Sequence, residues 1–340
     1  MAAVTTKPVD LVLEGGGVKG IALVGAVLEL AAAGHRFARI AGTSAGSIVG
    51  TLVAAYQQAG RPLTELYDVM QDLDYARFED STIEQRALGR LGDGLAVVLR
   101  DGAHSGDYLE KWLTPLLADV GVHTFADLRL PDDPGSSLAD YQRYAVVVHT
   151  SDLTRHVLVR LPWDYSQYGM VAAEQSVAAA VRASMSVPFF FRPVQVTTQR
   201  GKATWVDGGL LSNFPITVFD RTDALPQRWP TWGIKLSAQP STTARDEPIT
   251  NPAALALACL KTATDDEANR YQYADDGINR RTIFIDTSGF NSLDFHITKA
   301  QQAELYARGR DAARTFLERQ SPTPDNARRL VGAAKVGTNA

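Results

Sequence analysis

Along the first part of the chain, short apolar runs that stop at glycine alternate with longer stretches of helical periodicity. Val9–Leu13 is short, mostly apolar and halted by glycines, which predicts a buried strand. Val18–Ala33 follows, with Ile21, Leu23, Val24, Val27, Leu28 and Leu30 at helical spacing and Gly34 placed to close the helix. Phe37–Ala41 repeats the strand pattern, and Ala45–Gln58 the helical one, ending at Gly60. Strand–helix–strand–helix at this spacing predicts a right-handed βαβ unit and a parallel sheet.

Further on, Leu63–Leu117 reads as mainly helical, broken at Gly89–Gly94 and at a short loop over Asp101–Gly106. Leu130–Asp140 gathers proline, aspartate, glycine and serine and reads as a loop. Tyr144–Thr150 and His156–Leu161 are adjacent strands around a turn at Ser151–Thr154, and Val171–Ser184 is a helix that ends before Pro188. Val194–Thr198 and Ala203–Val206 form a strand pair. Thr231–Lys235 and Thr282–Asp286 are later strands, separated by a long helix from Pro252 to about Tyr273. Thr298–Arg319 is a terminal amphipathic helix, and residues 321–340 form a loose polar tail. These elements predict one α/β domain over residues 1–320, a three-layer sandwich around a mostly parallel central sheet, with a helical insertion near 62–130.

Composition narrows the function classes. The 340 residues are 45% hydrophobic and 21% charged, as in an ordinary globular protein. A net charge of -4 without a long basic run argues against nucleic acid as a partner. The single cysteine, Cys259, cannot form an internal disulfide and reads as a buried helix residue. With no signal segment and no run of apolar residues long enough to span a bilayer, the expected location is cytoplasmic, with any membrane contact peripheral.

Two glycine-bracketed turns carry the chemistry. Gly42-Thr43-Ser44-Ala45-Gly46 matches the G-x-S-x-G nucleophile elbow, in which small neighbours let a strained serine sit between strand and helix. A helix N-terminus there would favour a developing anion; the plainer reading makes Thr43 or Ser44 an N-cap. Glu14-Gly15-Gly16-Gly17-Val18-Lys19-Gly20 also satisfies the G-x-G-x-x-G dinucleotide pattern, which requires an acidic residue at the end of the second strand. That strand runs Arg39-Ile40-Ala41 into Gly42 with no acid. What remains is a nest of backbone N–H groups suited to an oxyanion. Lys19 reads either as a solvated surface lysine or as a cation that holds this loop or an anionic substrate.

A serine nucleophile needs a base. Of His35, His104, His123, His149, His156 and His296, only His296 lies where an α/β-hydrolase histidine would, and its setting is the lead-in to a helix. Asp207-Gly208-Gly209 instead follows the apolar run Trp205-Val206. It reads either as a hairpin turn or as a carboxylate at a strand end that takes the serine proton directly. Phe189-Phe190-Phe191 is an apolar run that lines an acyl-chain pocket or packs in the core. Trp163, Tyr165 and Tyr168 are read as a surface aromatic cluster at a lipid interface.

Taken together, Glu14–Gly20, Gly42–Gly46 and Asp207–Gly209 resemble the patatin-like phospholipase family, as does Ala183-Ser184-Met185-Ser186-Val187-Pro188 followed by Phe191-Arg192-Pro193-Val194. The stretch Arg281–Leu317 is similar to bacterial members. The resemblance implies Ser44 as nucleophile, Asp207 as base, and an oxyanion site from the backbone of Gly15, Gly16, Gly17 and Val18, with donors at Gly16, Gly17 and Val18. Lys19, Gly20, Gly42, Gly46, Gly208 and Gly209 would support these motifs. It further implies no catalytic histidine, no metal and no cofactor, and a lipid or other ester as substrate. Lys19 stands where many members carry arginine, which keeps the charge and loses the planar fork. Rival readings are a serine carboxylesterase of small soluble esters and a non-hydrolytic nucleotide-binding module.

Overall fold

The computed structural model describes residues 6–79, 104–133, 135–223, 225–237 and 276–320. The expected break at Gly89–Gly94, the helix from Pro252 with Cys259, and the tail beyond Gln320 lie outside the described residues. In chain order the strands are β1 (Lys7–Leu13), β2 (His35–Thr43), β3 (Val146–Asp152), β4 (Val157–Leu161), β5 (Val194–Thr198), β6 (Gly201–Asp207), β7 (Thr231–Lys235) and β8 (Thr282–Phe284). The helices are α1 (Gly20–Ala32), α2 (Ala45–Gln58), α3 (Glu65–Gln71), α4 (Asp107–Asp119), α5 (Val177–Ser184), α6 (Gly209–Ser212), α7 (Asp276–Arg280) and α8 (Lys299–Gln320).

These strands make one mixed sheet in the order β5-β6-β3-β2-β1-β7-β8, with β4 also on β3. The pairs from β3 through β2, β1 and β7 to β8 are parallel, and β4, β6 and β5 pair antiparallel. The central strands are largely buried because helices and loops cover them on both faces, and their apolar runs, such as Leu11–Leu13 and Val146–Val148, form the core. β1 and β2 step in the same direction across the sheet, so right-handed crossovers put α1 and α2 on one face. There α8 packs along α1, with Gly25 against the backbone of Tyr306 and Gly309 against that of Ala22. On the opposite face, Phe214 and Ile216 sit over Gly233 of β7. Most element positions follow the sequence reading, and α2, β5 and β7 carry the expected bounds.

Three local expectations fail for identifiable reasons. The helix expected from Val171 begins only at Val177, because the Ser176 side chain accepts the Ala179 N–H and caps it there. Ala172–Glu174 is a separate 3-10 turn. Asp207-Gly208-Gly209 opens the short helix α6 and forms no hairpin. Trp163, Tyr165 and Tyr168 do not form a surface cluster, since all three are buried. Tyr168 stands edge-on to Trp205 and donates its hydroxyl to Asp152, while Trp163 packs on Phe219 and Tyr165 on Phe125. Buried Tyr hydroxyls usually find such a partner, so aromatic content alone did not separate core from surface.

Candidate active site

The site is assembled by strand ends that meet along one edge of β3. On its far edge β3 carries β4, which pairs Val148–Asp152 with Leu161–Val157. Its near edge is shared. β2 runs parallel to it until Thr43 lies opposite His149, and β6 arrives from the other direction with Asp207 opposite Thr150. Adjacent residues of β3 therefore bring the ends of β2 and β6 together, with Ser44 one residue beyond the first and Asp207 the last residue of the second.

At the end of β2 the chain turns sharply into α2. Ser44 adopts φ 50 and ψ -122, a region that costs a non-glycine residue roughly 1–3 kcal/mol. Close packing over-determines the turn: a side chain on Gly42 would collide with the Gly46 carbonyl, and one on Gly46 with the carbonyls of Leu13 and Glu14. Ser44 N–H donates to Ser184 Oγ at 2.9 Å, and Ser184 Oγ donates to the His149 carbonyl at 2.6 Å. Ser47 Oγ donates to the Ser44 carbonyl at 2.6 Å. The simple N-cap reading does not hold, because the Ser44 side chain makes no capping hydrogen bond.

Asp207 is only 5% exposed. Its N–H donates to the Ser186 carbonyl at 2.9 Å, and its Oδ1 accepts from Gly209 N–H at 2.7 Å. Oδ2 is buried with no hydrogen-bond partner among the described residues. Burial pushes the carboxyl up to about 6, against the opposing pull of the Ser44 hydroxyl and the Gly209 N–H. Ser44 is thus near enough to act on the charge of the carboxyl without closing a hydrogen bond to Oδ2. Gly208 leaves room for the His149 carbonyl, where a side chain would clash.

The glycine loop after β1 is held from three directions. Gly15 N–H donates to the Asn213 carbonyl and Asn213 Nδ2 to the Gly15 carbonyl, both at 3.2 Å. Val18 N–H donates to the Ser292 carbonyl at 3.1 Å. Gly17 has φ 54, and a side chain there would run into that same carbonyl. Behind the loop, buried Glu14 pairs with Lys235 and accepts the Leu236 N–H. The expected set of oxyanion groups needs correction: the N–H groups of Gly15 and Val18 are already committed. No acceptor among the described residues takes those of Gly16 and Gly17.

Ser44, Asp207, Gly15, Gly16, Gly17 and Lys19 border one cavity of about 700 Å³. Gly20 packs beneath it toward Ala45 of α2. Of the three phenylalanines expected to line an acyl pocket, only Phe191 does. Phe190 stacks on Phe295 behind it, and Phe189, at φ 68, is 39% exposed. The backbone turn at Phe189 faces that ring away, which a run of identical letters does not reveal.

A larger cavity of about 970 Å³ lies elsewhere, bordered by Asp10, Arg39, His149, Trp163 and Phe219, and contains neither Ser44 nor Asp207. His149 is fully buried, its Nδ1 3.4 Å from the Gly42 carbonyl, and burial pushes it down to about 4. It buttresses the elbow and stays neutral. His296 is exposed and borders a third, smaller cavity. Among the described residues, no three His, Cys, Asp or Glu side chains gather as metal ligands would.

Residue reading missed Asn213 and Lys235. Asn213 lies six residues past the aspartate and Lys235 ends a later strand, so only their tertiary partners mark them. Ser184 stood inside a recognised segment, and its link to Ser44 supplies the physical reason for a serine there.

The glycine loop and the elbow both sit at the carboxyl ends of parallel strands, where open α/β sheets hold their ligands. The chain belongs to the patatin-like phospholipase family, whose profile matches residues 11–220. An uncharacterized protein of Bacillus subtilis, YqhO, is 33% identical over 313 residues, covering 91% of this chain and 98% of the relative. An uncharacterized NTE family protein of Mycobacterium tuberculosis, MT2641, is 27% identical over 212 residues, or 62% of this chain. The match spans only 28% of that longer relative. Among solved structures, VipD of Legionella pneumophila aligns with a TM-score of 0.49 at 18% identity, over 92% of this chain and 67% of VipD. The type III effector ExoU of Pseudomonas aeruginosa aligns with a TM-score of 0.47 at 16% identity, over 92% of this chain and 53% of ExoU. Among the described residues, no helix is long and apolar enough to cross a membrane.

Proposed function

We propose that the protein is a lipid acyl hydrolase, phospholipase A-like, that cleaves carboxylic esters through a Ser44–Asp207 dyad. The observation that carries this reading is the buried, unpartnered Asp207 Oδ2 beside a serine held on a strained turn. Ser44 Oγ attacks the ester carbonyl as Asp207 takes its proton, and a carboxylate near pKa 6 is a better base than one at its ordinary value. The uncommitted N–H groups of Gly16 and Gly17, with the N-terminus of α2, receive the oxyanion. Asp207 gives that proton to the leaving oxygen and the alcohol departs. As a carboxylate again, it takes a proton from the water that attacks the Ser44 ester and passes it to Ser44 Oγ as the acid is released. Asn213 and the Glu14–Lys235 pair keep the glycine loop in place. No cofactor enters the sequence, and the contact with lipid is peripheral to the membrane.

The aromatic flank of the cavity favours a chain-bearing acyl group over a small soluble ester. Comparing short-chain with long-chain esters separates these two readings. The central test is a fluorophosphonate probe followed by peptide mapping. Labelling is expected on Ser44 and absent in Ser44→Ala. Ester turnover that survives in folded Ser44→Ala would overturn the dyad, and absence of turnover by the wild type would leave a binding module without hydrolysis.

A further inference from the structure

The glycine loop after β1 is backed by chain that lies outside the 11–220 stretch matched by the family profile. A side chain on Gly16 would meet the Leu236 side chain, just past β7, and one on Gly17 would meet the Ser292 carbonyl. That carbonyl also accepts the Val18 N–H at 3.1 Å. One backbone oxygen therefore fixes both the turn at Gly17, whose φ is 54, and the peptide that follows it. The segment that carries Ser292 leaves β8 and is tied first to the end of β7. Ile285 N–H donates to the Lys235 carbonyl at 2.8 Å, and Thr287 Oγ1 to the Leu236 carbonyl at 2.5 Å. Beyond these, α8 supplies an anchor. Arg308 Nη1 donates to the carbonyls of Asp286 and Ser288 at 2.9 and 3.3 Å, and its guanidinium stands 5.2 Å from the centre of the Phe290 ring. Nη2 pairs with Glu304 on the same helix at 2.6 Å. A planar guanidinium serves donor and stacking roles at once, which an ammonium does not. A turn closed by Phe290 N–H on the Thr287 carbonyl carries the chain from this anchor toward Ser292.

We propose that Arg308 is a positioning residue for the oxyanion site: it holds segment 286–292 so that the Ser292 carbonyl keeps the glycine loop in the conformation the reaction uses. The proposal rests on the acyl-hydrolase reading above. Without the guanidinium, two carbonyls lose a charged donor and the Phe290 ring loses its cover, and the Ser292 carbonyl is released from its place against Gly17 and Val18. Binding of an acyl chain depends on the cavity walls, whereas the loop N–H groups act on charge that develops only in the transition state. The loss therefore falls on kcat.

The test compares Arg308→Met with Arg308→Lys and with Glu304→Gln, which removes the arginine's carboxylate partner and leaves both carbonyl contacts. In Arg308→Met, kcat for p-nitrophenyl decanoate should fall about 10- to 100-fold with KM changed less than about threefold, as for a misplaced transition-state contact. Arg308→Lys should recover part of the loss, and Glu304→Gln should stay within about twofold of wild type. Amide hydrogen exchange reads the loop directly. Exchange at Val18 should quicken about tenfold in Arg308→Met and not in Glu304→Gln, while the amides of β1 and α1 exchange as in the wild type. A kcat within about twofold of wild type in Arg308→Met, a loss carried by KM alone, or unchanged Val18 exchange overturns the proposal. So does faster exchange spread evenly over β1 and α1, which marks a general loss of stability. If Arg308→Met fails to fold, Arg308→Lys carries the test with the same two readouts. Absence of all ester cleavage by wild type overturns the hydrolase reading instead, while Val18 exchange still decides what Arg308 holds.

Discussion

Two carboxylates lie buried at strand ends on either side of the site, and they are treated in opposite ways. Glu14, just past β1, has a lysine for one oxygen and a backbone N–H for the other. Asp207, closing β6, has a backbone N–H on Oδ1 and, among the described residues, nothing on Oδ2. Taking a carboxylate out of water costs several kcal/mol in either place. At Glu14 the cost is offset by pairing, and the result is a fixed loop. At Asp207 much of it is left standing as a raised pKa, which suits the base proposed above. A carboxylate that is satisfied holds structure, and one that is not holds chemistry.

Asp207→Asn tests the unsatisfied member and should have the largest effect. Ester turnover should fall by about 10⁴-fold, as when a catalytic aspartate elsewhere is made neutral. Stability should move the other way. Because the folded pKa of about 6 lies above the unfolded value, ionising Asp207 weakens the fold as pH rises from about 4 to 6. The asparagine variant should therefore be more stable than wild type by up to about 3 kcal/mol at neutral pH, and equal to it below about pH 4. Denaturant titrations of both proteins across this range check the sign. His149 loses stability as pH falls from 6.5 toward 4 in both proteins, so it cancels in the difference. Wild-type kcat/KM should rise through an apparent pKa of about 6.

Lys235→Met breaks the satisfied member. It leaves Glu14 buried without its cation and should cost about 3–5 kcal/mol in chemical denaturation. A loss below about 1 kcal/mol would mean that Glu14 does not depend on its partner. Ser184→Ala removes the hydroxyl shared by the Ser44 N–H and the His149 carbonyl, and should cost about 1–3 kcal/mol with a fall in kcat. Glu65→Gln supplies the solvent-exposed contrast. Glu65 pairs with Arg61 on the surface of α3, and its loss should change stability by no more than about 0.5 kcal/mol.

Local punctuation made much of this legible. Glycine spacing and helical periodicity placed α2 to the residue, and Gly42 and Gly46 marked the turn at Ser44 while leaving an N-cap reading open beside the strained one. Legibility ended where a partner far along the chain decided the outcome. The late start of α5 turns on one capping hydroxyl, and the inward turn of Trp163, Tyr165 and Tyr168 turns on rings from other elements. Asn213 and Lys235 have no local signature, since each matters only through a residue on β1 or the loop after it.

The sequence by itself determined the turns and the strand–helix alternation, because backbone sterics and hydrophobic periodicity act over a few residues. It also carried the motifs that mark Ser44 and Asp207. Only the tertiary structure decided that these two residues meet, through β2 and β6 sharing one edge of β3. It likewise decided which glycine-loop N–H groups are spent on Asn213 and Ser292, and that Asp207 rather than Glu14 keeps one carboxylate oxygen unpaired among the described residues. Strand order, hydrogen-bond accounting and burial are properties of segments distant in sequence, and they exist only once the sheet has formed.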